Sequence, residues 1–414
     1  MPHSHAVETS HVRCCIVGGG PAGVVLGFLL ARAGVNVIVL EKHADFLRDF
    51  RGDTIHPSTL EIMHELGLLD DFLLRPHQEI TQLKASIGGH EATIGDLSHL
   101  PTQCKFIALM PQWDFLNFLA EHGKRYPTFH LKQEAEVVDL IEEQGRVIGV
   151  RANTPQGAFE VYADLVVAAD GRHSVVREKA GLQVLNIGAP IDVLWMRLPK
   201  HPDDPFQSLG RADAGKILVM LDRKDYWQCA FVIRKGGFDE IQKKGLQCFR
   251  DELAALAPIV RDRVDALRDW NEIKLLTVRI DRLAKWFRPG LLCIGDAAHA
   301  MSPIGGVGIN LAIQDAVAAA NGLASPLLER GLSIRQLAEI QKRREFPTRA
   351  TQAMQVFIQN RAIRPFLAGQ RQVRKLPLPF ALLNRFPLLR RIPARLVGMG
   401  FRPEHIANQP RNSS

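Results

Sequence analysis

Three observations predict an α/β protein in which a parallel sheet is interrupted by an antiparallel insertion. First, an apolar run from Val12 to Val17 stops at Gly18-Gly19-Gly20-Pro21-Ala22-Gly23. A helical pattern from Pro21 to Ala33 ends at Gly34, and a second apolar run, Val35 to Leu40, closes on Glu41. Second, two later apolar runs, Asp164 to Ala169 and Leu291 to Ile294, each deliver an acid beside a glycine, Asp170-Gly171 and Gly295-Asp296. Third, residues 181–285 change character to period-two strands separated by polar loops.

The first unit carries Gly18, Gly20 and Gly23 at the GxGxxG spacing. The first glycine allows a tight turn, the second lets a pyrophosphate approach the backbone, and the third lets helix and strand pack closely. Phosphates would sit on the helix N-terminus, where free N–H groups and the helix dipole favour negative charge. Glu41, with Lys42 after it, follows at the distance of about 20 residues expected for an acid on the adenosine ribose.

Further along, Ser58 can cap a helix with Glu61 three positions on and Leu60, Met63 and Leu66 on one face. Arg51 stands in the loop before it, either as a phosphate or isoalloxazine contact or as a surface ion pair. Residues 81–109 read as strands punctuated by glycine, and Gln112 opens the next helix. Val137–Glu142 and Val147–Ala152 alternate at period two across Glu143-Gln144-Gly145, which reads as a hairpin. The Asp164–Ala169 strand places Asp170, Gly171, Arg172, Ser174 and Arg177 beyond its carboxyl end, where open α/β sheets bind ligands. Ile191–Leu198, Lys216–Leu221 and Trp227–Ile233 read as antiparallel strands of a substrate-covering domain that holds Trp195, Tyr226 and Trp227, with a helix near 238–257. After Gly295-Asp296 comes Pro303-Ile304-Gly305-Gly306-Val307-Gly308-Ile309-Asn310, which opens a small-residue helix and a second anion-friendly terminus.

The 414 residues suggest two or three domains. With 46% hydrophobic and 23% charged residues the composition is that of a soluble globular chain, not a disordered or fibrous one. Six cysteines are scattered without a CxxC pair and read as small buried hydrophobes of a reducing compartment, so neither a disulfide framework nor a metal site is expected. Residues 1–13 lack the apolar core of a signal peptide, and no apolar run reaches the length of about 18 residues that spans a bilayer. The location expected is cytoplasmic, with peripheral membrane contact left open by the tail. The net charge of +8 is unevenly placed: residues 346–414 hold twelve Lys and Arg against one acid, Glu404. Nucleic acid is not an expected partner, because no aromatic interleaving or known module accompanies the charge.

In this fixed order, GxGxxG with Glu41, Asp170-Gly171, and Gly295-Asp296 with its Pro-x-Gly-Gly-x-Gly-x-Asn extension resemble the class A, single-component FAD-dependent monooxygenases typified by p-hydroxybenzoate hydroxylase and the ubiquinone-biosynthesis hydroxylases. The match runs from about residue 12 to about residue 345. The resemblance implies a Rossmann-type FAD-binding domain (10–80, 101–180 and 286–345), an inserted antiparallel-sheet substrate domain (81–100 and 181–285) and a basic helical C-terminal segment (346–414). It also implies roles. Gly18, Gly20 and Gly23 would hold the pyrophosphate of a tightly bound, non-covalent FAD, Glu41 its ribose, and Asp296 beside Gly295 its ribityl chain. Arg51 matches the family arginine near the flavin, and Gln112 a flavin-contacting position that is often Arg in relatives. Asp170 and Gly171 would serve FAD and incoming NADH or NADPH, with Arg172 and Arg177 as further contacts to the latter. Pro303, Gly306, Gly308 and Asn310 would line the flavin ring, with Pro303 also facing substrate.

The reaction implied is NAD(P)H- and O2-dependent insertion of one oxygen atom into an aromatic or polycyclic substrate through a flavin C4a-hydroperoxide. Alternatives that keep the cofactor are a reductase of isoprenoid double bonds, a halogenase, or a non-catalytic flavin-binding protein; the WxWxIP signature of flavin halogenases does not occur. No substrate-activating base is assigned. Tyr226 is the one tyrosine of the substrate domain, and His56 and His299 lie near motif residues, but an ordinary structural role stays open for each. Monomer and homodimer are both compatible with the sequence. Prolines interrupt residues 361–401 every few positions, which excludes one long helix. Short amphipathic helices there would either pack back over the core and close the active site or present a membrane-surface patch.

Overall fold

The structure, a computed structural model, describes residues 7–47, 54–204, 209–369 and 372–407. It begins with β1 (Glu8–Val17), α1 (Pro21–Arg32) and β2 (Val37–Leu40), and continues through α2 (Pro57–Glu65), α3 (Gln112–Gly123), β3 (Phe129–Lys132), β4 (Gly157–Ala168), β5 (Leu291–Cys293) and α4 (Val307–Leu328). The strands form one sheet in the order β5-β4-β1-β2-β3, all parallel, with the short edge strand Phe287–Arg288 antiparallel to β5. A parallel sheet covered on both faces needs continuous apolar strands. Accordingly Cys14, Cys15, Ile16 and all of β2 and β5 are buried.

Strand register sets where the motif residues emerge. Val17 pairs with Leu40 on one side and Ala168 on the other, and Ala168 pairs with Cys293. Gly18, Glu41, Ala169-Asp170 and Ile294-Gly295 therefore leave the same edge of the sheet within one residue of each other. The hairpin anticipated from the sequence is present as Glu136–Glu143 and Arg146–Thr154, the latter antiparallel to β4.

A second, seven-stranded sheet has the order Lys274–Leu276, Ile191–Pro199, Tyr226–Arg234, Lys216–Asp222, Leu209–Asp213, Gln82–Ile87, His90–Asp96. All its pairings are antiparallel except that of Leu209–Asp213 with Gln82–Ile87. Side chains alternate between two faces. Leu194, Met196, Leu218, Trp227, Cys229 and Phe231 point outward and bury the helix Leu246–Leu256 through Phe249 and Leu253. Val193, Trp195, Ile217, Val219, Ala230 and Val232 point inward, toward Ile304 and Leu367. Trp227, expected among the substrate-facing aromatics, belongs to the outward core. It is fully buried there, with its indole N–H donating to Asp204 at 2.8 Å. Adjacency in sequence to Tyr226 puts the two rings on opposite faces.

After α4 the chain forms α5 (Ile334–Ile358), α6 (Leu378–Arg385) and α7 (Arg391–Gly398). The long helix α5 runs straight through residue 346, where the positive excess begins, and tolerates Pro347 in its interior. Beyond it, the short helices pack back on the core. Ala394 and Met399 are buried with Leu97, Leu100, Ile107 and Leu109.

One buried ionic network joins these parts. Asp315 of α4 is fully buried; its Oδ2 accepts from Gly295 N at 3.1 Å and contacts His299 Nε2 at 2.5 Å, and its Oδ1 accepts from Arg344 Nε at 2.8 Å. Arg344 of α5, also fully buried, reaches Glu404 Oε1 at 3.3 Å. Burial pushes the Asp315 carboxyl up, but His299 and Arg344 outweigh it and hold the group below its ordinary value. Removing one member of such a network strands a charge in the core. Arg344→Met is expected to lower the unfolding free energy by about 3–5 kcal/mol in a urea titration, and a loss near zero would show that the network carries no stability.

Candidate cofactor site

The site lies at the shared carboxyl edge of β1, β2, β4 and β5. Gly18 has φ +106°, and a Cβ there would lie 2.4 Å from Ala169 O, so only glycine allows the turn. A Cβ on Gly23 would lie 1.9 Å from Gly18 O, which fixes α1 against the turn. Gly20 differs: its φ is −75°, and a Cβ would meet nothing within 4 Å. The fold therefore leaves Gly20 facing open space at the start of α1, whose first-turn N–H groups have no intrahelical acceptor. Glu41 stands beside this cradle, buried, accepting from Gly19 N at 2.9 Å and His43 N at 3.0 Å. Lys42 is exposed next to it.

Across the cleft, Asp170 Oδ2 accepts from Val176 N at 3.2 Å, while its Oδ1 is buried without a partner. Burial pushes this carboxyl up despite hydrogen bonds from Ser174 and Val176. Gly171 follows at φ +84° with open space around it. Gly295 has φ +58° and fits between Ala312 and Ala22, whose Cβ atoms would lie 3.1 and 3.2 Å from its own. This contact brings the α1 and α4 ends together at Asp296. Asp296 stays partly exposed, with Arg172 Nη2 3.6 Å from its Oδ2. Arg177 is buried and turned inward: it donates to Ala297 O at 3.3 Å and Arg172 O at 2.5 Å and lies 3.6 Å from Asp281. Beside these residues is a cavity of about 370 Å³ lined by Arg172, His173, Ser174, Arg177 and Arg279.

The third wall is the loop before α4. Gly305 and Gly306 have φ of +78° and +64°, and a Cβ on Gly306 would lie 2.4 Å from Thr54 Oγ1. Pro303 O accepts from Gly306 N at 3.0 Å, and α4 starts at Val307, with Gly308 in its first turn. Asn310 is buried and ties α4 to the α2 entry: its Oδ1 accepts from His56 N at 2.9 Å and the Thr59 hydroxyl at 2.8 Å, and its Nδ2 donates to Thr54 O at 3.1 Å.

The three unassigned candidates are placed apart. His56 is buried, with Nδ1 2.7 Å from Val397 O of α7. Burial lowers its pKa to about 4, so the ring is neutral. His299 is held by Asp315 under the ring of Trp286, 5.0 Å between centroids. Tyr226 sits half-buried at a strand end under the Arg197 guanidinium, 5.0 Å from its ring centre. Gln112 is half-buried in the first turn of α3, and Arg51 lies outside the described residues. Sequence reasoning missed Asp315, Arg344 and Thr54. A lone acid within the apolar α4 was a signal for Asp315, but its partners come from remote segments.

The chain matches the model of the FAD binding domain family over residues 11–354. Over 391 residues it is 33% identical to 6-methylpretetramide 4-monooxygenase of Streptomyces rimosus, covering 94% of this chain and 93% of that protein. It is 26% identical to para-nitrophenol 4-monooxygenase of Pseudomonas sp. (strain WBC-3), covering 80% and 82%. The crystal structure of p-nitrophenol 4-monooxygenase PnpA from Pseudomonas putida DLL-E4 shares the fold, with a TM-score of 0.77 at 20% identity, covering 96% and 100%. The chain belongs to the FAD binding domain family, and its class is that of the FAD-dependent monooxygenases.

The residues present fit that cofactor: an open cradle at Gly20, an acid at the end of β2, and a second helix terminus at Val307. Gly20→Ala should fold as well as the parent, because both φ and space permit it. It should nonetheless retain FAD at least tenfold less tightly in a fluorescence titration of the apoprotein, since a methyl group fills the phosphate approach; unchanged affinity would remove Gly20 from the site. His56 makes a separate prediction. Its folded pKa of about 4 lies below the unfolded value of about 6.5, so the unfolded state binds more protons between these limits. Stability should therefore fall by about 3 kcal/mol as pH drops through that window, and His56→Gln should flatten the decline measured by urea unfolding.

Proposed function

We propose that the chain is an NAD(P)H- and O2-dependent hydroxylase of an aromatic or polycyclic substrate. The observation that carries the reading is one row across the inward face of the second sheet. In register from strand to strand it reads Trp195, Ala230, Val219, Gly210, Ala85, Ala92. Four of the six are Ala or Gly, so the floor is apolar and recessed, with an aromatic wall at one end. The same face packs toward Ile304 of the flavin-side loop. A flat ring system fits such a floor, and the name of the relative at 33% identity, a 6-methylpretetramide 4-monooxygenase, agrees with that class.

When bound, FAD would supply the redox chemistry that links NAD(P)H oxidation and O2 to transfer of one oxygen atom to the substrate. Overall, NAD(P)H, a proton, O2 and an aromatic C–H yield NAD(P)+, water and the hydroxylated product. The chain's own part is to bind, orient and keep water out. Gly18, Gly20, Gly23 and Glu41 hold the adenosine diphosphate half, with Lys42 at the rim. Asp296, with Gly295 before it, takes the ribityl chain, and Gln112 contacts the same cofactor. The first turn of α4, opened by Pro303, Gly306 and Gly308 and braced by Asn310, meets the flavin ring and favours negative charge on its reduced form. Asp170 and Gly171 border the entry of NAD(P)H. Arg177 is committed to backbone carbonyls, so the nicotinamide cofactor's phosphates fall to Arg172 and to Arg279, an exposed cation of the neighbouring cavity.

An aromatic substrate should accelerate NAD(P)H oxidation with matching O2 uptake and a product heavier by one oxygen atom. Arg279→Ala should raise the KM for NAD(P)H by roughly 10- to 100-fold at unchanged FAD content, the loss expected of one charge-assisted phosphate contact. Turnover without O2 would assign a reductase, halide-dependent turnover a halogenase, and none with any donor a non-catalytic flavoprotein.

A further inference from the structure

The C-terminal helices leave a surface that neither the fold nor the reaction uses. Leu378, Leu388 and Ile392 are 72%, 69% and 60% exposed, and Leu382, Phe386 and Leu389 are exposed with them. The same segment carries Arg374, Lys375, Arg385, Arg390, Arg391, Arg395 and Arg402, and residues 346–403 contain no acid. Among the described residues none of these seven cations pairs with a carboxylate. Arg390 donates to Leu383 O and Asn384 O, Arg391 lies 3.4 Å from His99 Nε2, and Arg402 stacks over Phe346 at 4.7 Å. Between α5 and α7 the surface dips into a cavity of about 490 Å³ lined by Phe346, Arg391, Ile392, Arg395, Phe401 and Arg402.

Exposed apolar side chains in a contiguous patch mark an interaction surface, and arginines interleaved with them fix the sign of the partner. A second copy meeting this face about a twofold axis would set arginine against arginine. Nucleic acid would answer the charge but not Leu378, Leu388 and Ile392. Short helices that present leucine and phenylalanine beside arginine match a bilayer interface, where acyl chains take the apolar groups and anionic headgroups the guanidinium groups. No helix among the described residues is long and apolar enough to cross a membrane, so the contact would be peripheral.

We propose that the α6–α7 face docks on the surface of an anionic lipid bilayer, with Leu378, Leu388 and Ile392 entering the interface and Arg391 and Arg395 meeting headgroup phosphates. The test is flotation of the full-length, FAD-loaded chain with vesicles of phosphatidylcholine alone or mixed with phosphatidylglycerol. The chain should float with the mixed vesicles, release as salt rises, and leave neutral vesicles largely unbound. Removing a cation should weaken partitioning about fivefold, so Arg391→Gln with Arg395→Gln should lower it roughly 25-fold. Leu388→Ser with Ile392→Ser should lower it at least tenfold. All four positions are exposed, and unchanged FAD content and circular dichroism would certify each fold. Equal flotation of parent and variants, equal binding to neutral vesicles, or no binding to the mixed vesicles would each overturn the proposal. Concentration-dependent dimers abolished by Leu388→Ser, without flotation, would overturn it in favour of a second copy. None of these readouts involves turnover, so they stand or fall separately from the hydroxylase reading.

Discussion

The parallel pairing of β1 with β2 and β4, and of β4 with β5, is the constraint on which the rest of the molecule depends. It leaves no freedom in where the glycine turn, Glu41, Asp170 and Gly295 emerge, because each follows a strand whose last residues are held in register. A slip would move not one side chain but a whole wall of the cleft. The glycines enforce the same arrangement from the other side. At Gly18 and Gly23 a single methyl group would collide with backbone, whereas at Gly20 it would enter open space. That contrast separates glycines that build the cleft from the one that keeps it open.

A second constraint acts from within. Asp315 holds Gly295 and His299 on one side and Arg344 on the other, and Arg344 continues to Glu404. The turn that bears Asp296 is thereby tied to a residue near the chain's end. His56 makes a comparable link between the α2 entry and α7 through Val397 O, and Asn310 ties that entry to α4. Both histidines that neighbour motif residues make such ties through one ring nitrogen, Nδ1 of His56 and Nε2 of His299. Buried ion pairs of this kind add little net stability over apolar packing, but their rupture is costly, so they favour one arrangement over near alternatives.

The second sheet shows how strand periodicity divides labour. Its outward face is sealed by Leu246–Leu256, and on its inward face small residues line up across strands. The C-terminal helices cover the rim of that sheet through Ala394 and Met399 while exposing leucines and arginines to the outside. One short segment thus completes the core with one side and remains available for contact with the other.

Much of this was legible in the chain itself. Apolar runs ending in glycine and acid gave the strands and the sheet edge where they end, since parallel strands must be apolar throughout and turns need glycine. Period-two alternation located the second sheet, and proline spacing limited the tail to short helices. Not legible was which alternate face each aromatic takes: Trp227 and Tyr226 are adjacent, and only the packing of Leu246–Leu256 decides that Trp227 is core. Nor could sequence show that Arg344 pairs with Asp315 and Glu404, 29 and 60 residues away, or that Arg177 turns inward toward Ala297 and Asp281, more than 100 residues away. Local sequence determines strands, turns and helix ends because these depend on neighbouring residues. Long-range burial decides partners, because a charge or ring removed from water must satisfy itself with whatever the fold brings alongside.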